Sequence, residues 1–455
     1  MCICSREMIK LIRIKKLPEH RQMKIIALKC SIFILLLFST AAQAQSLKSA
    51  DTIRIDIKTA EQRFIQQNLS ILAAKYDVDI AKTNILQARL WYNPNITYSQ
   101  TLYNYATNRW FDISNTPDKN GNPGNGDVNI QLQQLISYAG RHTDLVRLNK
   151  IDAQRAQYTF EEVVRALKLE LYNDFSTLFG DQQKVKLYDN QISALNNLIK
   201  STEEQLKLGV SSKNDLTRLE AERQDDRNQL LNSQSELQDA ETDLKILLHY
   251  PIGAYLVVEN GLPNSNFETP PLATVLNTAN QNRGDLKLSQ KSVEYEQQNL
   301  KLQRALAVPD LNIGGMYDRA GGAGYNYTGI SLSSDIPIFN RNQGSVLAAK
   351  YQIRKALLSD SLQMNTVQSE VEGAYMKLQK YKIQYDAVDK NYSKDLEDMV
   401  SNAISNYNKK LISLLEFLDQ MRAYTSAKSG IIDMNTNYFN AIENLNYQVG
   451  ADIIK

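Results

Sequence analysis

The sequence predicts a mainly α-helical chain that also supplies strands to a membrane β-barrel, built from two duplicated halves of helix, strand, strand, long helix and helix. Three observations predict it. No proline lies between Pro123 and Pro251, or after Pro337, so very long helices can run without a break. Four short segments alternate apolar and uncharged polar side chains at period two, the pattern of strands with unlike faces. The chain also repeats itself at a fixed offset.

The first element is a targeting segment. After Met23 come a short basic start (Lys24, Lys29), an apolar stretch Ile32–Phe38 and the small-x-small site Ala42-Gln43-Ala44, which together predict secretion with cleavage after Ala44. Residues 1–22 read as an upstream extension of a start at Met23, and 1–44 as leader. The apolar stretch is too short to span a bilayer as a helix. Cys2, Cys4 and Cys30 all fall in this leader, and Cys30 precedes the apolar stretch, so it is not a lipid-bearing cysteine. The mature chain therefore has no disulfide or thiolate metal site. Without the leader's eight Lys/Arg and two Asp/Glu its net charge is −4, which gives no basic surface for nucleic acid. No later stretch approaches 18 apolar residues, so no spanning helix is expected.

The repeat has a measurable register. Pro94 corresponds to Pro309 and Ile71 to Leu286, 215 positions apart, whereas Tyr138–Phe339, Leu206–Tyr407, Asp215–Glu416 and Leu244–Leu445 are offset by 201. The change comes from an insertion between Pro94 and Tyr138. It includes Asn104–Asp127, rich in Asn, Gly and Pro and hence in turn chemistry. Repeats near 200 residues are too long for a solenoid and imply two similar halves, at 45–250 and 272–455. Residues 251–271, with four prolines and little periodicity, form the linker. The first helices are expected over Lys58–Leu90 and Leu272–Ala307, and the long ones over Gly140–Lys207 and Gln343–Asn408. Val164, Leu167, Leu171, Leu178, Val185, Tyr188, Ile192, Leu195 and Ile199 recur at coiled-coil spacings within the first long helix.

Strands are expected at about 94–103, 127–136, 309–317 and 325–336. Val128-Asn129-Ile130-Gln131-Leu132-Gln133 alternates apolar and amide residues; Ile96, Tyr98 and Leu102, Leu311 and Ile313, and Thr328, Ile330 and Leu332 do likewise. Such segments suit a barrel that is apolar outside and polar around water. Trp91, Tyr92, Tyr138 and Phe339 mark one interface; Tyr103, Tyr105, Tyr317, Tyr325 and Tyr327 mark the other. A soluble sheet covered by helices is the alternative. Four strands cannot close a barrel in lipid, so several copies must share one.

These features together resemble the TolC-type outer-membrane efflux protein family. The matching residues are the strand-opening Pro94 and Pro309, the segment Asp335–Gly344 (Asp-Ile-Pro-Ile-Phe-Asn-Arg-Asn-Gln-Gly), similar to the heavy-metal (Cus/Czc-like) branch, and the hairpin-tip pattern aromatic-x-x-Gly-x-x-Ser-x-x-[Asp/Glu]. Tyr407, Ser413 and Glu416 fit that tip, followed by Leu418, Asp419 and Arg422; Leu206, Gly209, Ser212 and Asp215 are the first-half copy. Lys410 replaces the glycine of the second tip, and Leu206 the aromatic of the first. The resemblance implies a homotrimer with a twelve-stranded barrel in the lipid of a Gram-negative outer membrane and a long α-barrel through the periplasm. The implied partners are a periplasmic adaptor and an inner-membrane pump of the resistance-nodulation-division type, and the implied role is a passive exit duct for cations or small toxic compounds.

By the same resemblance Asp215, Tyr407, Glu416 and Asp419 fall at the tunnel's constricted end, as gate or pore candidates. Three-fold symmetry would turn a pore-facing carboxylate into a cation-attracting ring; the alternative is a solvated acid on a helix surface. Gly209, Ser212, Lys410 and Ser413 form the expected turns and are candidates for adaptor contact, with Gly209 suited to a helix C-terminus and Ser212 to an N-cap. No enzyme is expected. His142 and His249 lack ligand-spaced partners, and His249, beside Pro251, suits a helix end. Gly321–Gly324 lies in a loop between strands, outside any strand-to-helix phosphate motif. Methionines 316, 364, 376, 399, 421 and 434 are scattered, so neither metal site nor cofactor is expected. Competing functions are the same duct serving multidrug efflux or type I protein secretion, a soluble periplasmic coiled-coil scaffold without a pore, and a phage or toxin receptor role for the loop Asn104–Asp127.

Overall fold

The structure is a computed structural model. It describes residues 52–454 apart from 116, 118, 122–123, 125, 264–266, 321–325 and 389–390. The leader with its three cysteines, the Gly321–Gly324 loop and Tyr325 of the second aromatic set lie outside the described residues. The described residues fall into two compact units: Arg54–Pro251 with Leu256–Ile454 make the larger, and Thr52–Ile53 with Ile252–Tyr255 belong to the smaller.

In chain order the elements are β1 (Thr52–Ile55), α1 (Ile57–Gln67), α2 (Leu69–Arg89), β2 (Asn95–Gln100), β3 (Tyr103–Asn104), β4 (Arg109–Trp110), β5 (Val128–Ile136), α3 (Arg141–Lys207) and α4 (Lys213–Leu248). The second half follows with β6 (Tyr255–Val258), α5 (Leu272–Asn282), α6 (Gly284–Ala305), β7 (Leu311–Asp318), β8 (Tyr327–Ser333), α7 (Gln343–Ala387), α8 (Tyr392–Asn408) and α9 (Leu414–Val449). Helix α3 has 67 residues, so at 1.5 Å per residue it is roughly 100 Å long. Of its expected seam, Leu171, Leu178, Tyr188, Leu195 and Ile199 are buried.

Three expected helices are each broken in two. The single helix foreseen over Lys58–Leu90 stops at Asn68, whose extended backbone lets its side chain accept a hydrogen bond from the Ile71 amide and cap α2. Its amide group also donates to the Leu247 carbonyl at 2.8 Å, which pins the break to the end of α4. The counterpart helix, Leu272–Ala307, breaks at Arg283, 215 positions on. That buried guanidinium pairs with Asp285 and with Glu370 at 2.8 Å. A side chain at the adjoining Gly284 would displace Glu162: a Cβ there would sit 2.6 Å from the Glu162 carboxylate oxygen that accepts the Asp285 amide. Finally, the helix expected over Gln343–Asn408 divides between Ala387 and Tyr392. Val388 is extended (ψ 121°), and no described residue between Leu378 and Leu396 is buried, so packing does not enforce helix there. The expected linker also contains β6.

The four main strands form one antiparallel sheet in the order β2-β5-β7-β8. Register places Ile96, Leu132, Gly315 and Ile330 in one row and Tyr98, Ile130, Tyr317 and Thr328 in the next. The other face carries Thr97, Ser99, Asn129, Gln131, Asn312 and Ser331. The period-two alternation therefore gives an apolar and a polar face, and the apolar one is open: Ile330 is 87% exposed and Leu332 67%. The strand expected at 94–103 is shorter than that, because Leu102 to Phe111 turn into a small β3–β4 hairpin.

Candidate functional site

The two helical hairpins end in turns of the same construction. In the first, the Gly209 amide donates to Leu206 and the Val210 amide to Gln205; in the second, Lys410 donates to Tyr407 and Leu411 to Asn406, each partner 201 positions on. This crossed pair closes a helix only if one residue adopts positive φ. Gly209 does so at 75°, and Lys410 at 61°. The lysine thus accepts a left-handed backbone that costs an L-residue about 1–2 kcal/mol.

The next helix starts with a reciprocal cap in both copies. The Ser212 hydroxyl accepts from the Asp215 amide at 3.1 Å and donates to the Asp215 carboxylate at 2.7 Å. The Ser413 hydroxyl accepts from the Glu416 amide at 3.2 Å, while the Ser413 amide donates to the Glu416 carboxylate at 2.7 Å. Those bonds from Ser413 hold the Glu416 carboxyl below the usual carboxylate range. Two gate candidates are therefore committed to capping, which keeps both hairpins wound to their ends.

The other two gate candidates occupy different settings. Tyr407 is half-buried, its ring 5.1 Å from Phe417 in the apolar cluster that joins both tips through Leu195, Leu198, Leu219 and Leu418. Burial and then the charge of Asp215 raise its phenol, so Tyr407 and Asp215 come together across the two halves. Leu206, where the first tip lacks an aromatic, packs on the same cluster. Asp419 is exposed, and its charge reaches Arg422. Arg422 clamps the buried Glu222 of α4, its Nε 2.9 Å from one carboxylate oxygen. Arg422 follows the tip motif in the sequence, whereas nothing in the sequence marks Glu222, which becomes its partner only through the packing of α4 and α9. Val210 and Leu411, at equivalent positions, are exposed apolar side chains at the turns.

At the sheet, Trp91, Tyr92, Tyr138 and Phe339 lie at one end of the strands, and Tyr103, Tyr317 and Tyr327 at the other, as the register requires. Trp91 stacks on His142 at 5.1 Å. His249 takes a left-handed conformation at the end of α4, where its amide closes the helix onto Ile246. No described helix is long and apolar enough to cross a membrane.

A sheet with one open apolar face, attached to paired hairpins far longer than a compact domain needs, defines a class of protein: the long-helix outer-membrane channel. The chain belongs to the outer membrane efflux protein family, which it matches over residues 61–248 and 275–451. No curated protein matches it by sequence. Among solved structures it is similar to the Campylobacter jejuni CmeC outer membrane channel (15% identity, 87% of this chain and 86% of that one, TM-score 0.72). It is also similar to CusC (16% identity, 90% and 96%, TM-score 0.68) and to the open state of the Neisseria gonorrhoeae MtrE channel (15%, 87% and 89%, TM-score 0.67). The fold is that of TolC-like channels, and the family is one of transport ducts, not enzymes.

Proposed function

We propose that the chain is the outer-membrane component of a tripartite efflux system, a passive duct through which cations leave the periplasm. What supports the reading most is the β2-β5-β7-β8 sheet, whose apolar face is exposed and whose edge strands β2 and β8 are each paired on one side only, to β5 and β7. Open edges are not tolerated in lipid. Three copies pooling their strands give a closed twelve-stranded barrel, with the amide- and hydroxyl-bearing face around water. Localisation in a Gram-negative outer membrane, with the helices reaching into the periplasm, goes with this reading.

The hairpin tips are the end that meets a periplasmic adaptor and, through it, an inner-membrane pump of the resistance-nodulation-division type. Exposed Val210 and Leu411 flank Gly209, Ser212, Lys410 and Ser413 there. Asp419 is the gate carboxylate of choice, because Asp215 and Glu416 serve as caps. Cations are favoured as cargo by the likeness of Asp335–Gly344 to the heavy-metal branch. Conductance in planar bilayers with and without divalent cations tests this. The wild-type duct passes cations in preference to anions, and Asp419→Ala weakens both that preference and divalent block; unchanged selectivity removes Asp419 from the gate.

A further inference from the structure

A second acidic region lies well away from the tips. Where α3 is flanked by α4 and α9, a cleft of about 450 Å³ is lined by six carboxyl side chains, Asp174, Asp181, Glu236, Asp239, Asp243 and Asp433, and by a single cation, Lys184. Lys184 already pairs with Asp433 at 2.8 Å. Asp181 is only 5% exposed, yet its Oδ2 has no hydrogen-bond partner among the described residues. A buried carboxylate oxygen left without a partner is costly, which is a reason to expect something to meet it. The α3 acids of the cleft are also not repeated in the second half. At the 201-residue offset Asp174 and Asp181 correspond to Tyr375 and Lys382, so the duplication does not demand acids here.

We propose that this cleft binds an extended organic polycation, a chain carrying two or more protonated amines. Its form selects that chemistry. Among the described residues no three carboxylates converge closely enough to hold a metal ion. They lie instead in rows: Asp174 and Asp181 are two turns apart on α3, roughly 10 Å along its axis, and Glu236, Asp239 and Asp243 follow successive turns of α4. Ammonium groups strung along a flexible chain can meet such rows in succession, with hydrogen bonds as well as charge. Strand β6 does not line the cleft; it meets α3 at Gln182, which donates to the Leu256 carbonyl at 2.8 Å and accepts from the Val258 amide. The site goes beyond the proposed duct, since its chemistry does not depend on which cargo passes.

Burial, then Glu170 and Asp243, lift the Asp174 carboxyl to about 7. Burial also lifts Asp181, with Glu236 and Asp433 adding to the rise and Lys184 opposing it, to about 6. Both are therefore protonated when the cleft is empty at mildly acidic pH and ionise as pH rises, so polycation binding strengthens from about pH 5.5 to about pH 8.

The test is calorimetric titration of the purified full-length protein in detergent with spermidine. Saturable binding is expected, weakened at least about tenfold in Asp174→Asn/Asp181→Asn by the loss of two close charges and weakened likewise at the acidic end. Asp79→Asn, on exposed α2, leaves it unchanged. Lys184→Gln removes the internal competitor and raises the affinity, a gain that misfolding cannot mimic. Three results overturn the proposal: no saturable binding, as when a neighbouring subunit's basic side chain fills the cleft; equal weakening by Asp79→Asn; or magnesium displacing spermidine at equal concentration.

Discussion

The two halves of this chain are copies of one plan, and they part where backbone and charge are most constrained. Helix α3 runs 67 residues without interruption, whereas its counterpart is divided into α7 and α8. The first tip turns on Gly209, but the second forces Lys410 through the same left-handed geometry. Acids on α3 give way to Tyr375 and Lys382 on α7. The lesson is that capping and turn hydrogen bonds carry the shared plan, since these are retained atom for atom in both tips, while side chains on the walls are free to diverge. Divergence there is what lets a duplicated duct acquire a lining that differs from one half to the other.

The largest test of this comparison removes what joins the halves. Phe417→Ala takes a fully buried ring out of the shared cluster and costs about 3–5 kcal/mol; hydrogen exchange should speed up at both tips, and faster exchange at the second alone would mean the tips are independent. Next, Arg422→Ala strands the buried Glu222 carboxylate, a loss of about 1–3 kcal/mol read as lower resistance to proteolysis between α4 and α9. A smaller effect separates the turns themselves. Lys410→Gly should stabilise the second tip by about 1 kcal/mol, and Gly209→Ala should destabilise the first by a similar amount; a loss on Lys410→Gly would mean the lysine side chain has a role that outweighs its backbone strain.

The least effect is on the caps. Ser212→Ala and Ser413→Ala should each cost about 1 kcal/mol of local helix stability. The Glu416 half of its cap has a pH signature. Its carboxyl is held below the ordinary range in the folded chain, so its contribution is full above that range and fades as pH falls through the lowered value. Chemical-shift titration of Glu416 should show the depressed midpoint in the parent and a normal one in Ser413→Ala.

Much of this was legible in the sequence because it rests on short-range rules. Pro94 and Pro309 precede strands, Ser-x-x-Asp and Ser-x-x-Glu announce the caps, and Val128–Gln133 shows its two faces by alternation alone. The helix breaks were not legible. Asn68 and Arg283 end helices through bonds to Leu247, Glu370 and Asp285, which depend on how distant elements pack, and Val388 breaks α7 with no proline or glycine nearby. The gate candidates were legible only as a group. Their division into caps (Asp215, Glu416), a half-buried core ring (Tyr407) and an exposed acid (Asp419) needs the neighbours in space. The acidic cleft was not foreseen at all, because its carboxylates come from three helices that sequence spacing does not align.

The central claim is that one chain's four strands are a fraction of a wall, and native mass spectrometry of the mature protein released from detergent micelles tests it most directly. The account predicts an assembly of three copies that falls apart only when the micelle is stripped under harsh activation. A stable single copy that needs no detergent would contradict it.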